Sequence, residues 1–391
     1  VVRRFFVVFL AVSGLLALTH VARATIPGLR GDSTVAQQVA WLRQVAPSAA
    51  PRMQELFPEG EFFTWALTGL AAGHLARQDI DRQSHLELLD EAITRTGLPA
   101  VTRRFGTHPG PLPHGTFHHG WRLLLLTDRA ALTGEPSHLA EMSDQAEAIV
   151  AALSHDPFPD SYPGAAWPCD VVVALAAAHR ADALLPVPDL AQVTRDWFVA
   201  AAGHLDPVTG LLVHRIGDQR SRATSQSIIQ TFLPDIDPDL ARTQWPRYKE
   251  HFLTRRLGLV GIREHPHGIE GGSDVDSGPL VAGVSLSASA VTLAAARRNG
   301  DHRLATVLDR EAELVGLPLP LPGGRASALG LLPVGDAFLA WARSVELAPD
   351  TGAAAPQPRW WLFWLLSLLP VGGAAALGIS ARGSRAGRMG V

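Results

Sequence analysis

From about Thr25 to Asp350 the apolar residues of this chain recur with helical spacing, and the alternation expected of β-strands is scarce. Helical runs cover Val35–Ala46, Phe62–Arg77, His85–Thr96, Trp121–Leu132, His138–Leu153, Val171–Leu184, Leu190–His204, Ser225–Phe232, Leu240–Arg256, Leu280–Arg298, His302–Leu314 and Ala337–Val345. Short Pro/Gly loops separate them, as an array of helical hairpins requires. One segment reads as a short β-hairpin, Asp206–Arg215, turning at Pro207 and Gly210. Alternate helices are rich in small residues: Val281–Ala296 carries Ala, Ser or Gly at nearly every second position, and Ala166–Ala178 is similar. A helix crowded on all sides needs such residues so that backbones can approach. Two concentric rings of helices, a closed α/α barrel, produce this pattern. A plain bundle or an open superhelix is the alternative, although no strict repeat marks a solenoid.

Two apolar segments flank this domain of residues 25–350. Arg3 and Arg4 precede the run Phe5–Leu18, which ends in Ala22-Arg23-Ala24, so residues 1–24 read as a secretory signal or a retained N-terminal anchor. Near the other end, Trp360–Ser380 is free of charge and long enough to cross a bilayer core of about 30 Å. Trp360, Trp361 and Trp364 supply interfacial anchors, and Arg382, Arg385 and Arg388 follow the span. Residues 351–358 form a linker, 359–381 a transmembrane helix and 382–391 a basic tail. Arginines outside both apolar ends place both termini in the cytoplasm and the helical domain beyond the membrane, with the lipid bilayer as a partner. A net charge of −3 gives no nucleic-acid footprint. One cysteine, Cys169, excludes an internal disulfide and a cysteine-based zinc cluster.

Against this charge-poor background the stretch from Glu264 to Pro279 stands out, with Glu264, Glu270, Asp274 and Asp276 among glycines. A packed core has no use for several unpaired carboxylates, whereas neighbouring carboxyls whose pKa values are driven apart furnish an acid and a base. Three other polar loops also stand directly before apolar helices: 108–119, 160–170 and 220–226. If the inner helices all begin at one end of the barrel, these loops converge on one mouth. The expected proton donors and acceptors are Asp276 and Glu264, with Asp170 or Asp160 as partner. Cys169, just inside a helix opened by Pro168, is a candidate nucleophile or an inert packed thiol. Tyr162, Arg222 and Gln226 are expected to position the ligand, and His118, Trp121, Asp274 and Glu270 to line the pocket. The competing structural reading makes Asp276 or Ser277 a helix cap ahead of Pro279. No metal or cofactor is expected, since Asp274-Val-Asp276 lacks the remaining EF-hand ligands and His114, His118 and His119 match no zinc motif.

Several short motifs occur in a telling order between about Phe62 and Ala342. They are Phe105-Gly-Thr107, Gly120 opening a helix that ends near Leu132-Thr-Gly134, and Asp156-Pro-Phe158 followed by a Pro/Tyr-rich loop and the helix-opening Cys169. Next come Leu205-Asp-Pro-Val-Thr-Gly210, Asp237-Pro238 and Pro246-Arg247, then an acidic Gly-rich loop before an Ala/Ser helix ending in Asn299-Gly-Asp301. This order resembles the linalool dehydratase/isomerase family. The resemblance implies an (α/α)6 barrel with a central pocket, and a periplasmic enzyme that moves water and double bonds in a small isoprenoid alcohol by acid–base chemistry. The family's helix-opening cysteine matches Cys169, and its companion cysteine falls on Asp160. The pocket histidine falls on Trp121 and the pocket tyrosine near Thr224, while Glu61 lies near the N-terminal catalytic aspartate in order. The function expected is acid–base chemistry on a hydroxylated small molecule or a glycan, hydro-lyase/isomerase-like or glycosidase-like. The alternatives are a noncatalytic cell-surface ligand-binding or scaffold module, and a metal-stabilised structural domain.

Overall fold

Helix accounts for 66% of the computed structural model, which describes residues 2–29 and 34–386; Arg388 and the end of the basic tail lie outside them. The α-helices are α1 (Val2–Thr25), α2 (Thr34–Leu56), α3 (Gly60–Arg77), α4 (Arg82–Thr96), α5 (Pro99–Thr102), α6 (Gly115–Thr133), α7 (Pro136–His155), α8 (Pro168–Asp182), α9 (Leu190–Ala201), α10 (Ala223–Ile236), α11 (Pro238–Phe252), α12 (Leu286–Arg298), α13 (His302–Gly316), α14 (Pro333–Ser344) and α15 (Trp360–Ala386). The fold class is all-α, with little sheet.

Packing among these helices runs in a cycle. α3 lies on α6, α6 on α8, α8 on α10, α10 on α12, α12 on α14, and α14 returns to α3. The remaining helices of the domain lie against members of this cycle: α2 on α14 and α3, α4 on α3 and α6, α7 on α6 and α8, α9 on α7 and α8, α11 on α10, and α13 on α12. The two sets differ in burial as the small-residue pattern requires. Residues 62–73 of α3 and 168–178 of α8 are buried without a break, whereas α9 buries only one stripe. Small side chains permit the close approaches. A Cβ added at Gly69 would lie 2.5 Å from the Ala92 methyl of α4, and one at Gly120 would lie 3.0 Å from the Ala174 amide of α8. Where α3, α6, α10 and α14 meet, Trp121 packs edge-on against Phe63, Phe232 and Trp341, at centroid distances of 5.2, 5.4 and 5.6 Å. Its ring is fully buried in this aromatic cluster, while its Nε1–H has no acceptor among the described residues.

The β-hairpin lies elsewhere than expected. Asp206–Arg215 forms a tight turn closed by Gly210 N–H to Asp206 O at 2.7 Å, with only the isolated bridge Leu205↔Leu212. Asp206 N–H to Leu211 O and Val213 N–H to His204 O make that bridge, and the ladder goes no further because His214 N–H is given to Arg220 O. The true hairpin is β1 (Leu253–Arg256) with β2 (Leu259–Arg263), to which β3 (Val284–Ser285) adds antiparallel; β4 (Leu319–Leu321) and β5 (Gly324–Ala326) form a second pair. Leu257 and Gly258 turn the first hairpin with φ of +51° and +84°, so the chain leaves α11 at Phe252 rather than Arg256. α12 starts at Leu286, six residues later than the sequence pattern suggests. Gly278, Ala282 and Gly283 all have positive φ, which no helix accommodates. Its cap is Ser285, whose hydroxyl accepts from Ala288 N–H at 3.2 Å. Asp276 and Ser277 therefore do not cap the helix.

α1 and α15, with mean hydropathies of 2.3 and 1.7 over their most apolar stretches, are long and apolar enough to cross a membrane. They pack on each other in antiparallel sense. The Arg3 guanidinium reaches Leu377 O, Gly14 seats Val371, and Val21 and Ala24 share a cluster with Trp360, Phe363 and Trp364.

Candidate acid–base site

Glu59 is the residue immediately before α3, Asp170 stands in the first turn of α8 behind the loop that holds Tyr162, and Arg222 precedes α10. Asp276 and Glu264 come from the segment between β2 and α12. Starts of successive helices in the cycle thus carry the polar groups, and free N–H groups at those ends favour ionised or strongly polar partners.

The Tyr162 hydroxyl donates to Glu59 Oε1. The Tyr162 ring lies near-parallel to Phe117 (centroids 5.9 Å apart) and edge-on to Trp167 (5.4 Å), so the phenol is held from both sides. Glu59 is pushed up to about 7, mainly by burial; the Tyr162 hydrogen bond opposes the rise and the Asp276 charge adds to it. Asp170 is fully inside the protein and also rises to about 7, mainly by burial, with a Ser161 hydrogen bond opposing and repulsion from Glu59 and Asp276 reinforcing the shift. Asp276 rises to about 6 through desolvation and then the neighbouring Asp274. Its side chain is exposed to solvent, although neighbouring protein desolvates the carboxyl in part. It accepts no side-chain hydrogen bond among the described residues. Glu59, Asp170 and Asp276 therefore feel one another as like charges, and their burial favours protons on some of them near neutral pH.

A second group adjoins the first. Arg222 Nε donates to Glu264 Oε1 at 2.9 Å, its Nη1 to Asp274, and Thr224 Oγ1 also donates to Glu264 at 2.9 Å. Burial lifts the fully enclosed Glu264 to about 7 against the pull of Arg222. Burial works in the same direction on Asp274, but hydrogen bonds from Ser277 and Arg222 leave that carboxyl below the usual range. His214, held by Ser225 Oγ at 2.6 Å and kept neutral by burial, brings a ligand atom within 4.8 Å of Asp274 and Asp276. That donor set suits a divalent cation in type, but Arg222 already supplies positive charge at Asp274.

Asp170, Asp276, Tyr162, Arg222, Asp274 and Glu264 thus fall in one neighbourhood, with Cys169 beside Asp170; Glu270, Asp160, His118 and Gln226 are not brought to it. Glu270 points to solvent, 93% exposed, with Arg263 at 3.5 Å. Asp160 accepts from Gly164 N–H at 2.7 Å and shapes its own loop. His118 is buried against Phe62 and Phe105, with Nε2 on Thr96 O at 3.1 Å. Gln226 is enclosed and donates to Leu212 O at 2.7 Å. Cys169 lies 3.8 Å from Asp170 Oδ1, and burial followed by that charge pushes the thiol up, the reverse of the expected helix-end effect.

Glu59, His214 and Thr224 are the additions. Glu59 had a sequence signal, since it is bracketed by Pro58 and Gly60 directly before a helix that is apolar on every side. Glu61, two residues on, instead sits near Arg104 and Arg95. Neither a family model nor a curated protein matches this chain.

Proposed function

We propose that this protein is a membrane-anchored enzyme that adds or removes water by acid–base chemistry on a hydroxylated small molecule. What supports this reading is the set Glu59, Tyr162, Asp170 and Asp276, in which Tyr162 donates to Glu59 and burial and like charge raise the carboxyl pKa values toward neutral pH. In the forward direction a protonated Asp170 or Glu59 gives its proton to the substrate hydroxyl, and the C–O bond breaks with loss of water. An ionised neighbour, Asp276 by its open position, takes a proton from the adjacent carbon as the double bond forms, so the protein's net protonation is unchanged. Tyr162, Phe117 and Trp167 supply an aromatic wall for an apolar substrate body. Buried polar atoms without a protein partner, Arg222 Nη2 and Glu264 Oε2, favour a polar ligand group beside that wall.

The helix cycle reads as an (α/α)6 barrel, with α3, α6, α8, α10, α12 and α14 inside and α2, α4, α7, α9, α11 and α13 outside. That architecture and the carboxyl chemistry agree with the resemblance to linalool dehydratase/isomerase. Burial and the Asp170 charge raise the Cys169 thiol, which disfavours a thiolate role for it in this reading. α1 serves as a retained anchor rather than a cleaved signal in this reading. Its Ala22-Arg23-Ala24 pattern lies inside the helix, with Ala24 buried against the α15 cluster. The antiparallel pair also brings Arg3 to the same end as the sequence positions of Arg382 and Arg385, in keeping with one cytoplasmic face.

The test incubates the detergent-purified full chain with tertiary and allylic alcohols in heavy-oxygen water and follows exchange of the hydroxyl oxygen by mass spectrometry. Exchange that disappears in Asp170→Asn and Asp276→Asn is expected. Exchange equal in both variants and in the wild type contradicts the proposal.

A further inference from the structure

A cleft of about 450 Å³ opens away from the carboxyl cluster, where the last turn of α1 meets the ends of α12 and α14 and the flank of α13. Arg23, Arg297, Arg310 and Arg343 line it, with Asp309 as its only carboxylate among the described residues. Arg343 already uses that group, with Nε 2.7 Å from Asp309 Oδ1, and pairs with Glu313 at the same distance. Arg297 donates Nε to Val345 O at 2.7 Å and has no carboxylate partner among the described residues. Arg23 and Arg310 likewise form no ion pair among the described residues. A second hollow of about 250 Å³ shares His302, Thr306 and Arg310 with the first and adds Arg303 and Trp360, the first residue of α15. Converging guanidinium groups left without carboxylates form a receptor for a tetrahedral oxyanion, because their N–H groups match phosphate oxygens.

The position of the cleft indicates where that phosphate comes from. Arg23 closes α1 and Trp360 opens α15, so both mark the level at which the apolar helix pair enters the domain. The β1–β2 turn lies at the same place, since a Cβ at Gly258 would touch Leu362 of α15 at 2.8 Å. Its tip, Leu257, is 73% exposed and follows Arg255 and Arg256. An exposed leucine beside basic residues and an interfacial tryptophan is a membrane-surface composition.

We propose that this cleft holds the phosphate of an anionic membrane lipid. The assignment goes beyond the acid–base reading and rests only on the membrane placement of α1 and α15. The shared chemistry is a phosphate group, available either from a lipid headgroup or free in solution.

The experiment exposes the detergent-purified full chain to equal parts phosphatidylglycerol and phosphatidylcholine and counts retained lipid by native mass spectrometry. Arg23→Gln/Arg310→Gln is compared with Arg195→Gln/Arg242→Gln on α9 and α11. Selective retention of phosphatidylglycerol, weakened about thirty-fold in the cleft variant and unchanged in the control, is expected from the loss of two interfacial charges. Equal retention of the two lipids, or equal selectivity in the two variants, overturns the proposal. A parallel arm adds millimolar inorganic phosphate: displacement of bound phosphatidylglycerol supports the phosphate site, and binding of phosphate without any lipid preference overturns the lipid assignment. Failure of the chain to float with phosphatidylcholine vesicles would refute the membrane placement itself, a result distinct from floating without lipid selectivity.

Discussion

The phenol of Tyr162 donates its hydrogen to Glu59, joining the loop before α8 to the residue before α3 across 103 positions of sequence. Burial and the Glu59 charge push the Tyr162 hydroxyl far above its ordinary range, so it remains the donor across all working pH values. Because this bond lowers the Glu59 pKa, Tyr162→Phe should raise it further. The alkaline limit of activity in a pH–rate profile should then move up, and stability should fall by about 1 kcal/mol for the lost bond. An unmoved profile would detach Tyr162 from the proton site.

Asp276→Asn separates chemistry from structure. Since Ser285 caps α12, Asp276→Asn should not lower the unfolding free energy while turnover disappears. Ser285→Ala should do the opposite, costing about 0.5–2 kcal/mol with the carboxyl site intact. Chemical denaturation of the two variants beside the wild type makes the comparison.

Stability should fall as pH rises. Glu59, Asp170 and Glu264 hold protons to about 7 in the fold, and Asp276 to about 6, against ordinary carboxyl values near 4 in the unfolded chain. Their contribution is complete below the unfolded values and is lost as pH climbs through the folded ones. Glu311, which burial lifts to about 8 beside Val260 N–H at 2.7 Å, adds to the trend from outside the site. Thermal unfolding should therefore occur at higher temperature at pH 5 than at pH 8. Glu59→Gln should flatten the slope by an amount on the order of 3 kcal/mol. His118, His119 and His214, kept neutral by burial, act in the opposite sense below pH 6.5, so the contradicting result is a slope unchanged in Glu59→Gln.

The terminal helix pair can be tested by chemistry of its own. Leu10→Cys with Gly373→Cys should be joined by a short bismaleimide crosslinker, since a Cβ at position 373 lies 3.5 Å from Leu10 Cδ1. Gly14→Leu should weaken that crosslink, because even a Cβ there comes within 2.5 Å of Val371, and overpacking of this kind costs about 1–3 kcal/mol. Recovery of a chain that lacks α1 from membranes would show that the segment is removed.

The helices were legible because burial on all sides leaves a compositional trace: the Ala-rich run 171–178 reads as an enclosed helix before any coordinates are known. Loops leave no such trace. The backbone between Gly278 and Gly283 takes positive φ at three residues, and this fixes both where α12 begins and which acid can cap it. Glu270 and Asp276 are equivalent as letters, yet one faces solvent and the other enters the field of Glu59, more than 200 positions away in the chain. Glu59 itself was hidden by Glu61, which has the same chemistry two positions further on. The β1–β2 hairpin was obscured because Leu253–Arg256 continues the apolar rhythm of α11, and only the Leu257-Gly258 turn breaks it.

Carboxyls from separate helix starts repel one another and hold protons toward neutral pH. Carbon-13 NMR of the detergent-purified full chain, with the Glu59 carboxyl assigned by loss of its signal in Glu59→Gln, measures this without a substrate. The account predicts a midpoint for Glu59 near 7 that moves down in Asp170→Asn, as the repelling charge is removed. A single titration at the ordinary glutamate value, the same in both proteins, would contradict it.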